Sequence, residues 1–447
     1  MTAENAANYF RKTNSVRGWF PSIQRRMMKR ALAAMAAAGA LVLLAGCAGS
    51  GGGDEESASE LTMWVRPDGS ISQALVDEYN ATHDTQIKLT VVPGDSYLQK
   101  VATAAGSNSL PDLLASDVVY APNYVDQGLY QDLTDRIEEL PFVDSLVPSH
   151  LEAASKDGQM YAVPHIVDNS LILYNKDLYV AAGLDPEVPP TSFDEMYEQA
   201  KAIRDSAGGD TYGFYFAGNC GGCNLYTLTP YLAAADEPPL MEDGAVANLD
   251  TQPMRDVMDL YQRMYEEGIA PTSSANEDGS TWTAGFVSGS IGILPAGSFV
   301  METLRQEADF EWGVAPLPAP DGASSSSFVG GDVIGVTRSS KNIDAAWDFI
   351  QWSLSDEAQV DVLAKIGTWP VRVDLADNEY TSKDPRSVEA VEMLADGYTA
   401  KSLKTGEIFN ESTGPWTQNL RAVIVNGEDS ATGSAALQES VQKLLDD

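Results

Sequence analysis

The chain has 447 residues, about three times the usual length of one domain, and 44% are hydrophobic, so it can bury a sizeable core and is expected to form more than one lobe. Lys and Arg number 28 against 65 Asp and Glu, a formal net charge of −37. That balance repels phosphate backbones and argues against nucleic acid as a partner; the apolar content argues against disorder along the whole chain.

The first 46 residues differ in kind from the rest, with seven basic residues and one acid, Glu4. A basic cluster from Arg25 to Arg30 leads into the uncharged, small and apolar stretch 31–46, too short to span a bilayer comfortably, and reads as an export signal. The run ends in Leu44-Ala45-Gly46-Cys47, which resembles the lipobox of bacterial lipoproteins. The resemblance implies a diacylglyceryl group on Cys47, anchoring without spanning. Residues 47–59 then read as a lipid-anchored flexible tether. Without the signal the chain keeps 21 basic and 64 acidic residues, a net charge of −43.

In chain order, Leu61 to Val65 is a strand ending at the turn Arg66-Pro67-Asp68-Gly69. Ile71, Leu75 and Tyr79 predict a helix, and Ile87, Leu89 and Val91 the next strand. A second helix over 96–105 and a strand over 111–115 give an α/β start, with a mostly parallel sheet and right-handed crossovers. Ser192-Phe193-Asp194-Glu195 has capping-box spacing before Met196, Ala200 and Ile203. Pro316, Pro318 and Pro320, followed by 321–327, read as an irregular crossing between lobes. Ile343, Trp347, Ile350 and Leu354 mark a buried helical face, with Trp347 in the core. No repeat of solenoid or propeller type is evident.

Beyond Cys47 the cysteines are Cys220 and Cys223, in Gly218-Asn219-Cys220-Gly221-Gly222-Cys223. An exported chain favours a local disulfide, its two glycines taking the angles a small ring needs; a redox-active pair is the alternative. With only His83, His150 and His165 and no second cysteine pair, a zinc site is hard to assemble, and neither metal nor cofactor is expected. No Gly-x-Ser-x-Gly elbow, phosphate-binding glycine loop or His-Glu-x-x-His helix occurs, so the chain is read as a non-enzyme. Composition leaves paired-carboxylate glycosidase chemistry open, and a surface-anchored glycoside hydrolase or adhesin is the alternative. His165 is read as a satisfied polar group.

Five segments in order resemble the family 1 extracellular solute-binding proteins of ABC importers: Pro111-Asp112-Leu113-Leu114 with Gly128 to Leu133; Gly158 to Pro164 with Leu173 to Leu178; Ala284 to Leu294; Phe328 to Gly331; and Ala345 to Ile350. The likeness covers nearly all of the mature chain. It implies a two-lobed α/β fold of the periplasmic-binding-protein kind (type II), with a ligand cleft between lobes joined by a hinge that the chain crosses repeatedly. One lobe would comprise 60–165 and 328–370, the other 166–327 and 371–447. The implied function is capture of a carbohydrate, an oligosaccharide by expectation, and its delivery to the permease subunits of an ABC importer at the outer face of the membrane. The protein is expected to act as a monomer.

A sugar needs carboxylates or amides beside flat aromatic faces. By position in the family pattern, the ligand contacts would be Trp64, Asp68, Asp117, Asp168, Asn169, Asn219, Phe299, Gly331, Asp332, Trp369, Arg372 and Trp416. Phe299 stands where many relatives carry a stacking Trp. Arg66 and Arg372 would be available to pair locally with a phosphate. Tyr120, Tyr161 and Trp282 are weaker candidates.

Overall fold

A computed structural model describes residues 60–447, apart from Gly69, Glu242, Asp243 and the side chain of Asp95. The expected export signal over 1–46, the expected acylation site Cys47 and the expected tether over 47–59 lie outside the described residues. Strand β1 (Glu60–Val65) buries Leu61, Met63 and Val65 on one face while Trp64 packs on the other, the period-two signature that set the expectation. Helix α1 (Ile71–Thr82) follows, burying Leu75, Val76 and Tyr79. Its start is held by Asp68, whose carboxylate accepts from the Ser70 and Ser72 amides at 3.1 and 3.0 Å. Then come β2 (Gln86–Val91), α2 (Gly94–Ser107), β3 (Leu113–Asp117) and the short helix α3 (Ala121–Asp126). β1 lies between β2 and β3, parallel to both, as expected.

The sheet then departs from parallel. The 13-residue strand β4 (Val163–Asn175) is buried throughout except at Asp168, which is half-buried. The second part of the chain supplies helix α4 (Phe193–Ala207), strand β5 (Tyr212–Phe214), helices α5 (Gly221–Ala234) and α6 (Gln252–Glu266), and strands β6 (Ile291–Gly297) and β7 (Trp312–Ala315). Strand β8 (Val329–Val336) returns antiparallel between β3 and β4, giving the order β2-β1-β3-β8-β4-β6-β5, with β7 also on β4. β4 carries the chain out to the far lobe and β8 brings it back alongside, so the two run in opposite directions.

β4 is shared by the two lobes. Residues 163–169 pair with β8, and 170–174 with β6. The change of partner therefore falls at Asn169/Ser170. Further along the chain, the Val147 amide donates to the Val371 carbonyl and Leu146 bridges Arg372. The second lobe is built on helices with apolar stripes; α6 buries Met254, Val257, Met258, Tyr261 and Met264, and helices α8 (Pro415–Ile424) and α9 (Ser430–Asp446) pack against it. Helix α7 (Ile343–Ser353) buries Trp347, as its spacing predicts.

Two local expectations need correction. Ser192 caps α4 by accepting from the Glu195 amide at 3.3 Å, but the Glu195 carboxylate takes the Thr191 amide and hydroxyl, not the Ser192 amide, so the box closes one residue upstream. The segment 316–327 is not irregular: Leu317–Pro318 and Ser325–Ser326 pair around a turn where Asp321 accepts from the Ala323 amide and Gly322 takes φ 74°. The aspartate–glycine pair supplies the turn that the prolines obscured.

Candidate functional site

The parallel run of β1 and β3 places their carboxyl ends side by side, with Arg66 just beyond the first and Asp117 last in the second. β8 then sets Asp332 directly opposite Asp117, and Gly330 opposite Asp168 on β4. Two carboxylates facing each other across a ladder repel. Arg66 offsets this by forking between them, Nε to Asp332 at 2.6 Å and Nη1 to Asp117 at 3.2 Å, with Nη2 reaching the Gly331 carbonyl at 3.4 Å. Burial works against the guanidinium charge, but Asp117 and Asp332 more than compensate and hold it protonated.

Asp332 is 1% exposed, and burial pushes its carboxyl up to about 7; Arg66 opposes the shift and Asp117 adds to it. Asp168 is likewise raised by burial, against a hydrogen bond donated by the Tyr226 hydroxyl and the more distant charge of Arg66. Space for Asp168 comes from the glycine pair on β8. A Cβ at Gly330 would stand 2.5 Å from the Asp168 carboxylate, and one at Gly331, where φ is 111°, would stand 2.0 Å from the Ile166 carbonyl. Gly331 therefore serves the approach of backbones.

Three segments, 219–223, 277–282 and 298–299, meet next to β4, Ser298 touching it at Asn169. Phe299, just beyond β6, is 56% exposed, and the neighbouring Ser298 hydroxyl accepts from the Asn169 amide at 3.1 Å. Trp282 meets the Phe299 ring edge-on at 6.3 Å. Cys220 and Cys223 form a disulfide, with Gly279 against both sulfurs, and the Asn219 amide donates to the Glu277 carbonyl at 2.9 Å. Asn219 is half-buried at the head of that loop.

The structure thus brings together Asp117, Asp168, Gly331 and Asp332 around Arg66, with Asp68 close enough to act on Asp332. Other expected contacts stand elsewhere. Trp64 packs against α2 with the Lys100 ammonium 4.2 Å above its ring. Asn169 is wholly buried and donates to the Ala390 carbonyl at 2.8 Å, because strand alternation turns it away from the Asp168 face. Arg372 is 5% exposed, forked onto Asp356 and Asp374 at 2.6 Å each over the Phe142 ring, so it has no charge to offer a ligand. Trp369 is 8% exposed and lines a separate groove of about 920 Å³ with Trp312, Arg305 and Arg386. Trp416 is fully buried in the second lobe's core, 5.2 Å from the Phe409 ring; the apolar face of α8 claims it, and it has no surface to stack on a ligand.

Arg66 and Tyr226 are the residues the sequence reading undervalued. Arg66 was legible as the residue after a strand end, whereas Tyr226 has no signal beyond its place on an apolar helix. His165 is buried, bonded to the Ser72 hydroxyl at 2.8 Å, and pushed down to about 4 by burial. Among the described residues, no three His, Cys, Asp or Glu side chains are grouped to hold a metal ion. Chemically, the cluster offers several hydrogen-bond acceptors, a donor fork and an open aromatic face, an arrangement fitted to a hydroxyl-rich molecule with apolar ring faces.

Residues 64–360 match the family described as bacterial extracellular solute-binding protein. The chain is 27% identical over 330 residues to the diacetylchitobiose binding protein DasA of Streptomyces coelicolor, covering 71% of this chain and 74% of that one. A putative binding protein of Brucella abortus is 25% identical over 364 residues, covering 80% of this chain and 86% of the relative. Among solved structures, the cyclic alpha-maltosyl-1,6-maltose binding protein of Arthrobacter globiformis superposes with a TM-score of 0.76 at 26% identity, covering 87% of this chain and 99% of that one. The sugar-binding protein MalE of Xanthomonas citri also gives a TM-score of 0.76, at 21% identity over 87% and 97% of the two chains, a likeness of fold.

Proposed function

Because the chain belongs to the bacterial extracellular solute-binding protein family and has that family's two-lobed α/β fold, we propose that it captures a carbohydrate between its lobes and hands it to the permease of an ABC importer. The observation that carries this reading is the Arg66 group: Asp117 at a strand end, with Asp168 and the buried Asp332 on the neighbouring strands, Arg66 and Asp117 partly open to solvent, and the exposed Phe299 next to Ser298, which bonds Asn169. Carboxylates accept from sugar hydroxyls, Arg66 keeps donors to spare, and the phenyl face takes a ring's C–H patch. Relatives described as binding diacetylchitobiose and a cyclic maltosyl-maltose support an oligosaccharide as the class. The surplus of acid over base in the group disfavours sugar acids and phosphates.

Export by the 1–46 segment, acylation of Cys47 and tethering through 47–59 complete the proposal, keeping the receptor beside its permease. Fatty-acid labelling that disappears in Cys47→Ala would support the anchor, and labelling that persists would refute it. For the ligand, a thermal-shift panel should run from monosaccharides to tetrasaccharides and include glycerol phosphate. At a hundredfold excess over Kd a bound sugar adds about 2.7 kcal/mol to stability. Phe299→Ala and Asp168→Asn should each abolish most of that gain. If no saccharide stabilises the protein, or a labelled one is converted on incubation, the proposal fails.

A further inference from the structure

Between α2 and α3 of the first lobe and residues 403–411 of the second lies a cavity of about 460 Å³, within the usual range of small-molecule sites. Its character is opposite to that of the Arg66 group. Leu98 and Leu403, from segments far apart in sequence, line it while 44% and 50% exposed, and Val101 adds to the apolar wall. Large aliphatic side chains presented to solvent from two sides of one cavity await an apolar occupant.

Two observations connect the cavity to the Arg66 group and point to a ligand. Tyr120 lines it and is hydrogen-bonded to Asn410, while Asp117 and Arg66 both act on its phenol. Tyr124, also in the lining, is 6% exposed, and its hydroxyl has no hydrogen-bond partner. A buried hydroxyl without a partner is costly and is retained where something else supplies the acceptor.

Resting on the sugar-binding reading above, we propose that the ligand is amphipathic: a glycoside whose hydroxyl-rich head lies against Asp168 and Arg66 and whose aromatic end-group fills the cavity under Leu98 and Leu403, with an oxygen near the linkage accepting from Tyr124. Asn123, Gln127, Glu407 and Glu411 in the wall can meet polar atoms near the linkage, while Leu98, Val101, Leu129 and Leu403 present apolar surface that an aryl group complements better than the hydroxyls of a further sugar ring.

The test is calorimetric titration of the whole protein with phenyl and methyl glycosides of maltose, glucose, galactose, xylose and N-acetylglucosamine. For whichever head binds, the phenyl glycoside should bind about tenfold more tightly than the methyl one, a difference of about 1.4 kcal/mol. Leu98→Asp and Leu403→Asp should each cut that preference to about threefold or less, leaving the methyl glycoside's affinity unchanged, in line with the apolar area withdrawn. Tyr124→Phe should weaken the phenyl glycoside while raising the denaturation midpoint of the free protein, because it removes the orphaned hydroxyl. Equal affinity for the two glycosides, or a preference that survives both aspartates, overturns the inference and leaves the sugar-binding proposal intact. If free saccharides and glycosides alike fail to bind, both fall together.

Discussion

Replacing Arg66 by leucine removes the cation that Asp117 and Asp332 share, and the cost should depend on pH in a calculable direction. Asp332 sits at about 7 with Arg66 present, above its ordinary value of 3.8, so between those values the native state holds a proton that the unfolded chain releases. Stability from this group is therefore full below about 4 and declines as pH rises through 7. At pH 8 the carboxylate is charged and depends on its 2.6 Å contact with Arg66. Removing one partner of a buried pair costs about 3–5 kcal/mol, and since the Arg66 side chain is 35% exposed the low end, about 3 kcal/mol, applies. At pH 5 Asp332 is protonated in both proteins, leaving only the half-open Asp117 contact, worth about 1 kcal/mol or less. Urea denaturation followed by tryptophan fluorescence at pH 5 and pH 8 measures both. Adding Asp332→Asn to Arg66→Leu should recover most of the loss at pH 8. Equal losses at the two pH values, or no recovery in the double variant, would refute the assignment.

Trp416→Ala should destabilise by about 3–5 kcal/mol in the same denaturation assay, because it empties a fully buried site beside Phe409, and Trp416→Phe should lose less. His150 and His165 are both pushed down to about 4 by burial, so the unfolded chain binds protons that the native state does not between about 6.5 and 4, and stability should fall as pH drops through that window. His165→Gln should flatten this acid limb relative to wild type in denaturation midpoints taken from pH 7 to pH 4. The Cys220–Cys223 disulfide closes only a short loop, its partners being three residues apart, so Cys220→Ser with Cys223→Ser should cost about 2 kcal/mol at most, read as a shift in urea midpoint.

Legibility followed the range of the interactions. Period-two and period-four patterns marked β1, α1, β2 and α7, because each depends on one face of one element meeting a core. Asp117 and Asp332 were readable as acids near a strand end and a glycine pair, and Phe299 as an aromatic after another. Trp416, Trp369 and Arg372 carried the same local signals of turn, proline and ring, and their neighbours in space claimed them instead: a helix face, an apolar flank and two aspartates.

By itself the sequence determined the acidic composition, the α/β succession and the family, since these are properties of composition, periodicity and short motifs. Only the tertiary structure decided that β8 returns antiparallel to set Asp332 against Asp117, that Arg66 bridges the pair, and that Tyr226 reaches Asp168 from helix α5. The reason is physical: a charge's partner and a side chain's exposure are set by the packing of residues tens to hundreds of positions away, and no local pattern encodes which of several equivalent rings or carboxylates is left facing the opening.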